Sequence, residues 1–180
     1  MDVQGLTRDK VREILRASEG IPSQVSDARK GDDGRLEAAK SGHAIGGHLH
    51  SASLAEDKTK FISFNDMVEA LWLVLHSQEG VAKLRVLNTG HRATISVTLG
   101  RLFPFECELA GAQGRTHKVR FSTGEQVRAG WSQTACVAVV EARERANVQH
   151  LQVHTFYPKY ARADLNRLLA DIRATDEHRG

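Results

Sequence analysis

Apolar positions along the chain follow two regimes, with helical spacing toward both ends and near-alternation between them. Near the N-terminus Val11, Ile14 and Leu15 repeat at i, i+3 and i+4 behind Thr7, a residue type suited to capping a helix, and the pattern stops at Gly20 before Ile21-Pro22. Residues 23–34 are polar and rich in Gly and Asp, which predicts a linker and a boundary near residue 35. The chain therefore reads as an N-terminal helix with a polar linker over 1–34 and a main domain over 35–180. A second helical stretch is expected over 35–40, running towards a histidine-rich segment that Gly42, Gly46 and Gly47 weaken. The clearest helix opens at Ser63 or Asn65, carries Val68, Leu71, Trp72 and Leu75 at i, i+3, i+4 and i+7, and ends near Gly80.

From Lys83 the period shortens to about two. Residues 84–87, 93–99, 102–109, 117–121, 134–140 and 148–157 predict six strands of an antiparallel sheet. Leu165, Leu168, Leu169 and Ile172 then return to helical spacing. The expected fold is α+β, with N-terminal helices packed on a twisted antiparallel sheet and a C-terminal helix closing it. In the last strand, alternation puts Leu151, Val153, Thr155 and Tyr157 on one face and His150, Gln152, His154 and Phe156 on the other, and Pro158 is expected to end the pairing.

Composition narrows the function classes. With 180 residues, 41% of them apolar, the chain carries too much core for a disordered tail, and two cysteines are too few for a disulfide scaffold. Cys107 and Cys136 lie in apolar strand-like contexts and read as buried thiols. No apolar run approaches the roughly 20 residues of a membrane span, and the N-terminus does not read as a signal peptide. Charge is nearly balanced overall, 25 basic against 22 acidic residues, but the basic excess is concentrated in 111–162. Arg115, Lys118, Arg120 and Arg128 in that segment are candidates for a surface facing a polyanion, with a solvated basic face as the plain alternative. No GxGxxG or GxxxxGK loop occurs, which argues against dinucleotide and P-loop enzymes.

The densest chemistry is the run Ser41-Gly42-His43-Ala44-Ile45-Gly46-Gly47-His48-Leu49-His50, three of the nine histidines, with Lys58 and Lys60 downstream. Imidazole both gives and takes a proton near neutral pH, so an acid/base site with a nearby cation is one reading. A metal site is another, but helical i, i+5 spacing turns His43 and His48 about 140° apart, and no HExxH, CxxC or acidic cluster completes a coordination sphere. No metal and no cofactor is expected. The second constellation is Thr155 and Tyr157, two hydroxyls at a strand end that suit phosphate binding, although both are also ordinary strand residues.

Together the two constellations resemble the ribonuclease toxin domains at the C-termini of bacterial contact-dependent inhibition proteins and other polymorphic toxins. Those domains carry a Gly-Gly-His-Thr-Ile-x-x-His segment, a basic residue about ten positions later, a Thr-Phe-Thr-Asp-like helix start and a last strand ending Thr-x-Tyr-Pro. Here Ser41-Gly42-His43-Ala44-Ile45-Gly46-Gly47-His48, Lys58 or Lys60, Phe61-Ile62-Ser63-Phe64-Asn65-Asp66 and Thr155-Phe156-Tyr157-Pro158 follow in that order, covering residues 41–158. Ser51 departs from the family's usual Lys, and the downstream basic residue is Lys where Arg is usual. A wider barnase, EndoU, colicin and RelE-like group joins a helical His to a similar last strand.

The resemblance implies a fold similar to pancreatic ribonuclease without its disulfides, and metal-independent RNA cleavage, for which 2′-hydroxyl attack to a 2′,3′-cyclic phosphate is the expected chemistry. It assigns catalysis to His48, Lys58 or Lys60, Thr155 and Tyr157; the expected mechanism adds His43 or His50 as a second proton-transfer group. Arg115, Lys118, Arg120, His50 and His154 are expected to bind substrate. RNA, tRNA among the candidates, and a cognate immunity protein are the implied partners. Delivery as part of a larger toxin into the cytoplasm of a target cell is the implied setting. An NAD-degrading or ADP-ribosylating toxin domain, with Glu106, Glu108 or Glu125 as its carboxylate, and a non-enzymatic RNA-binding module are the alternatives.

Overall fold

A computed structural model describes residues 3–23, 42–49, 59–110 and 116–177 and has the expected α+β architecture. Helix α1 (Arg8–Ser18) starts where the Thr7 hydroxyl accepts the Lys10 N–H at 3.2 Å, and it buries Val11, Ile14 and Leu15. The expected linker boundary lies among residues 24–41, outside the described residues, yet α1 shares one hydrophobic core with α3 (Phe64–His76) and with a three-stranded sheet. Ser63, rather than Asn65, caps α3, accepting the Asp66 N–H at 3.1 Å. The stripe of Val68, Leu71 and Leu75 is buried, while Trp72 is half-buried and donates its indole N–H to the Leu6 carbonyl at 2.9 Å.

Ser77 ends α3 and caps α4 (Gln78–Val86), so Gly80 lies inside a helix rather than at the end of one. The expected strand over 84–87 is corrected: it is the last turn of α4 and the residue after it. Leu84 and Leu87, three apart, are buried, whereas Val86 is 72% exposed. Four residues of alternation are too few to distinguish two periods, and burial at i, i+3 is the helical one.

The strands form two antiparallel sheets, where the sequence suggested a single one. In the first, β2 (Arg92–Leu99) pairs with β5 (Thr134–Arg145), which pairs with β6 (Val148–Lys159). The β5–β6 hairpin turns on Ala146 and Asn147, both at positive φ, as a two-residue hairpin loop requires. In the second, β1 (Thr59–Phe61), a strand the sequence pattern did not reveal, pairs with β3 (Phe105–Ala110), which pairs with β4 (Thr116–Phe121). The first sheet packs under α1 and α3. The second puts Phe105, Cys107 and Phe121 against Leu165 and Leu168 of α6 (Arg162–Glu177), the expected closing helix.

Helix α5 (Thr123–Arg128) was also absent from the sequence reading, although its signature was present. Ser122 and Glu125 form a capping box, each side chain taking the other's backbone N–H. Cys107 and Cys136 are free, buried thiols whose pKa values burial pushes up to about 12, with the neighbouring Glu106 charge adding to the shift at Cys107. No helix of the described residues is long and apolar enough to cross a membrane.

Candidate active site

A β-bulge in β6 builds the site. Val139 pairs with Thr155 but Val140 pairs with Val153, so His154 is the extra residue in the ladder. The bulge shifts the strand's alternation by one. Leu151 and Val153 lie in the core together with Phe156, while Thr155 and Tyr157 line a cavity. This corrects the expected grouping of Leu151, Val153, Thr155 and Tyr157 on one face, because strict alternation holds only through an unbroken ladder. Pro158 likewise does not end the pairing: it sits opposite Cys136, with Lys159 opposite Ala135 beyond it. In this sheet β6 is an edge strand, where a missing N–H is tolerated.

Two backbone groups at the bulge find partners in neighbouring helices. The Val153 N–H donates to the Ser18 hydroxyl at 2.9 Å, and the His154 carbonyl accepts the His43 N–H at 2.9 Å. The C-terminus of α1 therefore meets the start of the histidine segment on β6. The next turn is α2 (Ala44–His48), five residues that lack a side-chain cap of their own. Glu19 supplies one from α1, its carboxylate accepting the Ile45 N–H at 3.0 Å and the Gly46 N–H at 2.7 Å. Gly47 leaves room for the His43 ring, since a Cβ there would lie 2.7 Å from His43 Cδ2.

His48, on the last residue of α2, is 5% exposed. Its Nδ1 lies 3.0 Å from the Thr59 carbonyl oxygen. A carbonyl only accepts, so Nδ1 carries a proton, and in the neutral tautomer this leaves the lone pair on Nε2, the arrangement a general base needs. The ring is stacked on Tyr157 at a centroid distance of 4.8 Å and an angle of 27°. The His43 ring lies 5.7 Å from that of His48 and 5.6 Å from that of His154. The Thr59 hydroxyl donates to the Pro158 carbonyl, tying β1, and with it the His48 anchor, to the end of β6.

His43, His48, Thr59, Thr155 and Tyr157 line a cavity of about 720 Å³, together with Cys107, Tyr160 and Leu165. Burial holds the Tyr160 hydroxyl well above the ordinary phenol range. Thr155 Oγ1 is buried and has no hydrogen-bond partner among the described residues. A buried hydroxyl without a partner costs stability, so its position on the wall of a cavity points to a ligand atom it serves.

Of the expected catalytic residues, His43, His48, Thr155 and Tyr157 meet in this cavity. Lys60 is fully buried and is not among the residues lining it. It follows Thr59 on β1 and lies opposite Glu106 of β3. Glu106 in turn takes the Arg120 guanidinium at 2.9 Å, so Lys60, Glu106 and Arg120 form a charged row across the three strands. Lys118 is exposed opposite Glu108. Lys118 and Arg120 alternate with Val119, which packs towards α6, and neither is among the residues lining the cavity. His154 is buried beside His43 on the bulge. His50, Lys58 and Arg115 lie outside the described residues.

Among the alternative carboxylates, Glu106 holds Arg120 and Glu125 is committed to its capping box, while Glu108 lines the cavity. Among the described residues no three His, Cys, Asp or Glu side chains converge as a metal site. The sequence reading missed Ser18, Glu19 and Thr59. No local pattern marks them, because each acts on a partner distant in sequence. Set against known protein families, curated proteins and solved structures, the chain has no significant match.

Proposed function

We propose that the protein is a metal-independent endoribonuclease, used as a toxin in competition between bacteria, that cleaves RNA through the substrate's own 2′-hydroxyl. The observation that carries this reading is His48, held by Nδ1 on the Thr59 carbonyl and stacked on Tyr157 in a cavity that also presents the buried Thr155 hydroxyl. That set matches what the sequence resemblance implies for the activity.

In this reaction Nε2 of His48 takes the 2′-hydroxyl proton, and the 2′ oxygen attacks the adjacent phosphorus. The bond to the 5′ oxygen breaks as that oxygen gains a proton, leaving a 2′,3′-cyclic phosphate and a free 5′-hydroxyl. His43, near enough to serve the same phosphate, supplies the second proton. Proton transfers of this kind contribute about 10²–10⁴ each in rate. The hydroxyls of Thr155 and Tyr157 donate to the charge that builds on the phosphoryl oxygens. Lys60, fully buried opposite Glu106 and not lining the cavity, takes no step in this scheme.

RNA is the substrate, and a cognate immunity protein, acidic where it covers the basic surface, protects the producing cell. Delivery within a larger toxin brings the domain to the target-cell cytoplasm. The test is digestion of total RNA with product ends mapped, using wild-type, His48→Ala and Tyr157→Phe proteins. Cyclic phosphate ends that persist in EDTA, and an uncut all-deoxy substrate, are expected. DNA cut as fast as RNA, or activity abolished by EDTA, overturns the reading.

A further inference from the structure

Beyond the cavity that holds His48, the surface continues into a second hollow of about 380 Å³, and Lys159 and Tyr160 line both. We infer that this second hollow is a nucleobase subsite, in which Trp131 stacks on the base of a nucleotide lying beyond the pair joined by the reacting bond. The inference rests on the ribonuclease reading for its substrate and on separate residues for its geometry.

Gly130, at φ +82°, reverses the chain after α5, a conformation that favours glycine, and the Trp131 N–H returns to the Gln126 carbonyl at 2.9 Å. This sets the Trp131 indole, half-buried, against Tyr160 at a centroid distance of 5.1 Å and 28°. Tyr160 is stacked in turn on Phe105 at 4.1 Å. The outermost ring of this row is thus supported from behind by core aromatics and belongs to the wall of an open hollow. A rigid aromatic with one side packed suits stacking on a base, which needs no hydrogen-bond match.

Charge agrees with this assignment. Exposed Lys159 stands at the junction of the two hollows, and Arg167 lines the second, bonded to Asp164 at 3.2 Å. A strand advances about 3.3 Å per residue, so Lys159 stands about 7 Å along β6 from Tyr157. A cation there lies where a chain leaving the reacting phosphate brings its next phosphate. The first cavity is within the usual size range of a ligand pocket, and the second, near the lower end of that range, suits a single planar base.

The experiment compares wild-type protein with Trp131→Leu, which keeps apolar volume against Tyr160, and with Trp131→Phe, which keeps an aromatic face. Two readouts are taken: cleavage of a diribonucleotide against a tetraribonucleotide, and affinity for an uncleavable 2′-O-methyl tetranucleotide. Trp131→Leu is expected to lose about tenfold in tetranucleotide affinity and in tetranucleotide kcat/KM, with dinucleotide cleavage unchanged and Trp131→Phe restoring most of the loss. Equal loss on both substrate lengths, or unchanged tetranucleotide affinity in Trp131→Leu, overturns the subsite. If wild-type protein cleaves neither substrate but binds the 2′-O-methyl tetranucleotide through Trp131, the ribonuclease reading fails and the subsite stands.

Discussion

The rings of His48 and Tyr157 lie stacked, their centroids 4.8 Å apart, although the two residues are separated by most of the domain's length. One face of the imidazole is thereby fixed by an aromatic ring, and its in-plane rotation is fixed by the Thr59 carbonyl. In the proposed reaction, a base so constrained would have its lone pair aimed before substrate arrives. Removing either group separates orientation from chemistry. His48→Ala is expected to lower RNA cleavage by at least about 10²–10⁴ while the protein stays folded by circular dichroism. Tyr157→Phe keeps the stack and removes only the hydroxyl, and is expected to lower kcat by about 10²–10³. Full activity in Tyr157→Phe would restrict the tyrosine to packing.

Thr155 separates stability from function. Its hydroxyl is buried with no hydrogen-bond partner among the described residues. Thr155→Val removes an unsatisfied polar atom at nearly constant volume, so melting temperature is expected to hold or rise while cleavage falls. Thermal melts and single-turnover cleavage on the same samples decide this, and a loss in both would mark Thr155 as a structural residue.

Glu19 ties the first helix to the histidine helix. Its carboxylate takes two backbone N–H groups at the start of α2, which has no side-chain cap of its own. Glu19→Ala is expected to cost about 1 kcal/mol of stability. Cleavage should fall further than that figure implies, because α2 carries both His43 and His48 at its ends. Denaturant titration beside kcat/KM measures the two effects. Deletion of residues 1–34, which removes α1 with Ser18 and Glu19, is expected to abolish activity, since those residues hold β6 and α2 in place.

The buried thiols predict an alkaline limit to stability. Cys107 and Cys136 are held at about 12 in the folded protein, against an ordinary value of 9.0. Above pH 9 the unfolded chain releases these protons and the folded chain keeps them, so stability is fully present below pH 9 and declines as pH rises towards 12. Melting temperature is expected to fall through pH 9–11, and to fall less in a Cys107→Ala/Cys136→Ala protein measured against its own neutral value. An identical alkaline slope in that variant would assign the loss to other groups. At pH 7–8 neither thiol should be alkylated by iodoacetamide without denaturant.

Taken by itself, the sequence determined the α+β class, the capped helices α1 and α3, the closing helix and most strand positions. Each of these rests on short-range signals, a cap residue or a hydrophobic period that a few neighbours specify. It also marked His43, His48, Thr155 and Tyr157, because their residue types and order carry chemistry whatever the contacts. Local pattern was insufficient at 84–87, the end of a helix and the residue after it, and at α5, whose capping box spans only four residues.

Tertiary structure decided the rest. The bulge at His154 shifts the phase of β6 and turns Thr155 and Tyr157 out of the core. It is held by Ser18 and His43, partners that lie 135 positions away for Val153 and still farther than local pattern reaches for His154. The division of the strands into two sheets is likewise a matter of partners, since β5 takes β2 and β6 while β3 takes β4 and the three-residue β1, whose pairing crosses much of the chain. The row Lys60, Glu106 and Arg120 buries one of the expected cationic candidates, Lys60, and commits another, Arg120, to an ion pair across strands for the same reason. Period and capping are local properties and can be read along the chain. Register, bulges and charge pairing across strands are set by which distant backbone groups satisfy one another, and only the folded chain brings those groups together.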